Sequence, residues 1–349
     1  ERKNSPLSFN QAMPAYPHLD ALQCKNNQGK QQNQSVILIL TEQQISQEQL
    51  QQFIGRTNND SLLLNNNIDT GLADDAWFNL FYSLPSIYQQ DILKQQVKPF
   101  LFQAIEQQGL TTSLTVITEK TDIKQGQGLS QEADSTLPFE ALFAQKTQLK
   151  NVSTLLFADN LNNKTAGLHV IYFKHDVNEI NDSSASHYQF ELFVDALLLA
   201  QKQKAQQDII WISAIGNQQA NTRLSTKKAL LIKPTAYKGG IAAHKELTYN
   251  TSNMDLQPTL MKHWLACEAN STSYSNGSDL FSLKKDRVIA NTTEQGIMVF
   301  NKDKSVLIDQ YGNFQSYSSQ LSAPITVNAD FPLMIDGMHF IKRFSNQTK

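Results

Sequence analysis

Short apolar runs alternate with helix-like polar stretches along most of this chain, and that alternation limits its folds more than any other feature. Ser35 to Thr41 (SVILILT) is a continuous apolar run between polar ends, the pattern of a strand covered on both faces. Further strand-length runs follow at Leu62 to Leu64, Leu114 to Thr118, Leu155 to Phe157, Leu168 to Phe173, Asp208 to Ala214 (DIIWISA) and Lys228 to Lys233 (KALLIK). Helical segments fall between them. Thr41 to Ile54 is polar and helix-prone, and Pro99 to Gln108 stops at Gly109. Between Ser186 and Gln206, Phe190, Phe193, Val194, Leu197 and Leu198 recur at helical spacing, and Asp255 to Leu265 reads as another helix. Strand and helix in repeated succession predict an α/β fold, a largely parallel sheet sandwiched by helices.

The pattern changes after Asp286. Val288 to Ala290, Gly296 to Phe300, Ser305 to Asp309 and Phe314 to Tyr317 are short strands separated by turn residues, which predicts a small antiparallel meander. Residues 330–345 read as a closing helix. Residues 1–34 are rich in Asn, Gln and Pro, without periodicity, and read as an arm on a body. The expected division is therefore an arm or linker at 1–34, an α/β core at 35–282, and a β subdomain with its closing helix at 283–349.

Only 18% of the residues are charged, and the net charge is −2. Nucleic-acid binders show a basic face, so that class is excluded as a partner. Amides replace charges on the surface, with 37 Gln among 349 residues. Five arginines (Arg2, Arg56, Arg223, Arg287, Arg343) leave little room for extensive bidentate phosphate recognition. No apolar stretch approaches the ~20 residues needed to span a bilayer. The chain opens on Glu1 without a signal peptide, as expected of a processed piece of a longer protein. Cys24 and Cys267 share no metal-ligand spacing; unpaired thiols and a disulfide tying the arm to the body are both open.

No motif announces chemistry. The seven histidines form no HxH or HExxH pair, and Lys174-His175-Asp176 holds the one adjacent His–Asp. His175 reads as a solvated loop residue before it reads as a ligand. Asp74-Asp75 precedes an aromatic segment (Trp77, Phe78, Phe81, Tyr82) and reads as a helix N-cap, with a base or metal role as the sharper alternative. The aromatics read as core. Gly-x-Ser-x-Gly is absent, and Lys238-Gly239-Gly240 reads as a surface turn. No metal or other cofactor is called for.

The order of segments nevertheless resembles a known family. Ser35 to Glu42 (SVILILTE) looks like the first strand of the alkaline phosphatase/sulfatase superfamily, roughly NILLIxxD. Asp69 to Pro85 (DTGLADDAWFNLFYSLP) is similar to GGNSTRxGIFxLFYGLP of the PbgA/YejM-type inner-membrane proteins, which carry a periplasmic sulfatase-like domain. Ser186 to Leu199 resembles their YxNAxHFVDxxI helix; DIIWISAIG (Asp208 to Gly216) sits where the superfamily has TxxIITxDHG, and KALLIKP (Lys228 to Pro234) resembles VPLVIxxP. Asp255 to Phe281 (DLQPTLMKHWLACEANSTSYSNGSDLF) is similar to DIMPTLMxxxLGCxxPxxxYSxGxDLF. The matches run in order through about residues 35–345, and LFYSLP with YSNGSDLF makes them specific.

The resemblance implies an alkaline phosphatase/sulfatase-like α/β/α sandwich, and the departures imply a site without its catalysis. The metal-binding Asp of the family falls on Glu42, the Thr nucleophile on Ala73, and the Asp-His pair on Ala214 and Ile215. The following His has no counterpart among Leu224 to Lys227. One surviving carboxylate does not hold a divalent cation tightly, and alanine has no oxygen to attack with. The resemblance thus implies a pseudoenzyme, the periplasmic part of a Gram-negative inner-membrane protein in outer-membrane lipid homeostasis. It would handle lipopolysaccharide or cardiolipin and meet inner-membrane partners. Arg2 and Lys3 would then lie near anionic headgroups, each charge worth about 1 kcal/mol there; the plainer reading is two idle charges at a frayed terminus. The alternative is a metal-dependent phosphatase or sulfatase with an atypical site built from Glu42, Asp74 and Asp75.

Overall fold

A computed structural model of the chain describes residues 14–20, 23–24, 33–70, 73–118, 139–150, 161, 164–174, 183–216, 225–234, 243–293, 295–318, 324–325 and 330–345. Its main sheet has nine strands: β1 (Val36–Thr41), β2 (Asp60–Asp69), β3 (Thr111–Thr118), β4 (Gln145–Lys150), β5 (Gly167–Lys174), β6 (Ile209–Ala214), β7 (Ser225–Lys233), β8 (His244–Leu247) and β9 (Thr251–Ser252). They run in the order β4-β3-β5-β1-β6-β7-β2-β8, with β9 also on β2. Every pairing is parallel except the two made by β7. The central strand β1 is buried along its whole length, as a strand with helices on both faces must be.

Period-two alternation divides the apolar residues of β1 between two cores. Val36, Leu38 and Leu40 face α2 (Ala73–Tyr82), α4 (Phe100–Gln107) and α6 (Leu256–His263). Ile37 and Ile39 face α1 (Gln47–Arg56) and α5 (Ser183–Gln201). The result is an α/β/α sandwich. Helix α1 starts where Ser46 caps the Gln49 amide and Gln49 returns a bond to Ser46, a capping box. Helix α4 ends ahead of Gly109, whose φ of +69° suits a residue without Cβ. The short α3 (Gln89–Lys94) links α2 to α4.

A second, antiparallel sheet of five strands runs β10 (Ile289–Thr293), β11 (Gly296–Phe300), β12 (Lys304–Asp309), β13 (Phe314–Ser318) and β14 (Pro324–Ile325). Helix α7 (Phe331–Lys342) packs Leu333 and Ile341 against it. Among the described residues no helix is long and apolar enough to cross a membrane.

Several elements depart from the sequence reading. Strand β2 runs far beyond Leu64, because Asn65 to Asn67 join it through a register shift and Asn67 bonds Asn253 at 2.7 Å. Strand β4 (QKTQLK) is polar and lies at the sheet edge, where no apolar alternation is required. The Asp255 to Leu265 segment is a 3₁₀ turn at Asn253–Asp255 followed by a shorter helix. The run Leu155 to Phe157 lies outside the described residues.

The described part of the N-terminal arm is held by glutamines. Gln95 accepts the Tyr16 amide at 2.7 Å and donates to the Pro14 carbonyl at 3.2 Å. Gln103 treats Leu19 and Pro17 in the same way, at 2.8 and 3.1 Å. Two side-chain amides thus stand in for a pairing strand. Tyr16 is buried, and its hydroxyl accepts the Phe100 amide at 2.9 Å. Cys24 and Cys267 form a disulfide, which settles the two thiols.

Candidate functional site

The carboxyl edge of the main sheet gathers the ends of neighbouring strands. Thr41 is in register with Ala214 of β6 and with Phe173 of β5. Because β7 runs antiparallel, its beginning lies beside the end of β2, with Ser225 opposite Asp69 and Lys227 opposite Asn67. Open α/β sheets bind ligands at this edge.

The residues singled out in the sequence do meet there in part. Glu42 follows β1, its amide bonded to the Phe173 carbonyl, and it accepts a hydrogen bond from the Tyr172 hydroxyl. Burial raises the Tyr172 pKa far above the ordinary phenol value, and the Glu42 charge adds to that, so the hydroxyl remains a donor. Ala73 opens α2; Ala214 ends β6 and Ile215 follows it, both buried. Gly216 follows with φ +66°; a Cβ there would stand 3.1 Å from the Ala73 Cα, so these two backbones are in close contact.

Asp74 and Asp75 are not N-caps: they are the second and third residues of α2, and Asp74 is exposed. Carboxylates in a first turn still favour the positive end of the helix dipole. The aromatics after them are core, with Trp77 edge-on to Tyr172 at 5.2 Å between centroids. Arg2, Lys3, His175 and Lys238 to Gly240 lie outside the described residues.

What the sequence reading missed is a buried ion pair. Lys227 Nζ lies 2.8 Å from Asp69 Oδ2, with side chains 6% and 0% exposed. The same ammonium donates to the Gly216 carbonyl. Asp69 Oδ2 also accepts the Gly216 amide at 2.9 Å, while Oδ1 accepts the Thr70 amide at 2.9 Å and Asn253 Nδ2 at 3.1 Å. A buried carboxylate needs this degree of satisfaction to persist. The signal was legible: Lys227 shares the strand phase of Ala229 and Leu231, both core residues.

This donor set does not fit a divalent cation. Such an ion takes several free oxygen or nitrogen ligands. Asp69 is saturated by an ammonium and three N–H donors, and Glu42 is engaged by Tyr172. Among the described residues no group of three His, Cys, Asp or Glu side chains is placed to hold a metal. The arrangement instead clamps the ends of β2, β6 and β7 against α2 around an internal cation.

No protein-family model matches the sequence, and no curated protein matches it. Solved structures do. A protein of the alkaline phosphatase superfamily from Vibrio parahaemolyticus superposes with a TM-score of 0.59 at 11% identity, covering 91% of this chain and 87% of that one. The lipoteichoic acid synthase LtaP from Listeria monocytogenes gives 0.56 at 10% identity, over 91% of this chain and 92% of that one. The PsFucS1 sulfatase from Pseudoalteromonas sp. gives 0.50 at 10% identity, over 97% and 92%. With the strand order and both sheets in place, these likenesses identify the architecture of this chain as the alkaline phosphatase/sulfatase-like fold.

Proposed function

We propose that this chain is a non-catalytic recognition domain on that fold: the periplasmic part of a PbgA/YejM-type inner-membrane protein acting in lipopolysaccharide or outer-membrane lipid homeostasis. The observation that carries the reading is the Lys227–Asp69 pair, an ammonium built into the edge where a catalytic member would bind its metal. A side-chain cation repels a second cation, and Ala73 supplies no attacking oxygen. The disulfide supports an oxidising compartment such as the periplasm. Membrane lipid or lipopolysaccharide and inner-membrane proteins are the partners this reading assigns.

Turnover of an aryl phosphate and an aryl sulfate, with manganese or zinc in excess, tests it. The expected result is no metal-dependent product. Metal-dependent turnover abolished by Glu42→Gln overturns the reading in favour of a hydrolase with an atypical site. Turnover that survives this substitution belongs to a contaminating enzyme.

A further inference from the structure

A second concavity, sharing no residue with the sheet edge, opens between α6, the 267–288 segment and the end of α7, with a volume of about 780 Å³. Ligand pockets commonly fall in this range. Four cations line it, Lys262, Lys284, Arg287 and Arg343, against two carboxylates, Glu268 and Asp279, in a chain whose net charge is −2. Two of the five arginines are therefore in one cleft.

These cations are not equivalent. Arg287 is neutralised from beneath by Asp255, in a bidentate pair at 2.6 and 2.8 Å. Lys262 is paired with Asp279 at 3.1 Å. Arg343 has no carboxylate partner among the described residues. Its Nη2 donates to the carbonyls of Ser275, Asn276 and Gly277, and its Nε is buried without a hydrogen-bond partner. Burial, and then the neighbouring Arg287, both act against its charge, with Asp255 only partly offsetting them. Phe340 holds the guanidinium from one side, 5.4 Å from ring centroid to Cζ. Lys284 is exposed at the rim. A guanidinium with no carboxylate partner among the described residues and an unpartnered Nε, in a net-positive concavity, matches an anion with tetrahedral oxygens, and Val288 and Phe340 give the same cleft an apolar wall.

We infer that this cleft binds a phosphate group, with Arg343 and Lys284 as its principal contacts and the apolar wall taking the carbon skeleton attached to it. The inference gives the recognition reading a ligand site, and it rests on that reading only in the choice of a lipid probe.

The test is calorimetric titration of the intact chain with inorganic phosphate and, separately, with a water-soluble short-chain phosphatidic acid. Native protein binds the phosphatidic acid saturably. Arg343→Gln weakens it about tenfold, Lys284→Gln weakens it about threefold, and Lys285→Gln, at an exposed position outside the cleft lining, leaves it unchanged. Equal binding of both probes identifies a free phosphate site, and preference for the phosphatidic acid identifies a headgroup site; both support the cleft. Absence of binding by either probe, or identical affinities in all three variants, overturns it. Should Arg343→Gln lose its fold, Lys284→Gln, at the exposed rim, decides the matter. No turnover is measured, so failure here leaves the non-catalytic reading intact, and a positive hydrolase assay leaves the binding result intact.

Discussion

Ser83 Oγ lies 2.6 Å from Ser275 Oγ, so the LFYSLP and YSNGSDLF segments meet in the interior. The Ser83 carbonyl accepts the Asn276 amide at 2.8 Å, and Ser83 Oγ donates to the Met254 carbonyl. Ser83 sits at φ +59°, the left-handed region that suits the glycine of the LFYGLP pattern. These segments close the junction of α2 with the turn before α6.

Gly277 lies in that junction. A Cβ there would stand 1.9 Å from the Met254 carbonyl oxygen and 2.8 Å from the Asp255 amide nitrogen, both backbone atoms. Gly277→Ala is expected to cost about 3 kcal/mol in urea unfolding. Gly55, in α1 with open space around its Cβ position, is the contrast. Gly55→Ala is expected to stabilise by about 0.5–1 kcal/mol. Equal effects at the two sites would contradict the packing described.

Removing one member of the Lys227–Asp69 pair leaves the other charge buried. Lys227→Met is expected to destabilise by about 3–5 kcal/mol, and Asp69→Asn by a similar amount. Chemical denaturation of the two single variants and the double variant measures the coupling, which should be well above that of an exposed pair such as Lys94–Asp91.

His169 is a pH-sensitive residue of the core. Its Nδ1 lies 2.7 Å from Ser113 Oγ and its Nε2 lies 3.0 Å from the Thr165 carbonyl, as for a neutral ring donating from Nε2. Burial pushes its pKa down to about 4 from 6.5. The unfolded chain therefore takes up the proton first as the pH falls. Stability from this residue is full above pH 6.5 and declines toward pH 4, by about 3 kcal/mol in all. Denaturation midpoints tracked from pH 7.5 to about 4 should show the decline, and His169→Gln should remove that component of the slope.

Reduction of the Cys24–Cys267 bridge, which closes a separation of 243 residues, is expected to cost about 3–5 kcal/mol. Thermal unfolding with and without a reductant measures it. A melting temperature indifferent to reduction would mean that non-covalent contacts, those of Gln95, Gln103 and Tyr16 and the Glu268 amide bond to the Gln23 carbonyl among them, are enough to hold the arm.

Much of the architecture could be read in advance because burial on both faces writes itself as apolar runs such as SVILILT. Strands without that demand were invisible. QKTQLK forms an edge, and HKEL in β8 is largely exposed. Glu42, Ala73 and Ala214, which the family resemblance singled out, lie just after β1, at the start of α2 and at the end of β6. The resemblance gave no hint of Asp69, whose position in the family pattern is a glycine, nor of Lys227, which registered only as a missing histidine. The two partners are 158 residues apart, so only the burial of Lys227 could be read locally, from the strand phase it shares with Ala229 and Leu231, and not the identity of its partner. The two motif segments are conspicuous for a different reason: tight backbone approach at Gly277 and positive φ at Ser83 leave few acceptable residues.

The disulfide also sets a mechanical route through the molecule. Tension on the residues before Pro14 first meets the hydrogen bonds of Gln95 and Gln103, which can peel one at a time. Past them the covalent bridge takes the load and delivers it to Cys267, on the wall of the cationic cleft, while β1 is shielded from the pull. Whatever draws on the front of this chain therefore strains the cleft before it strains the sheet.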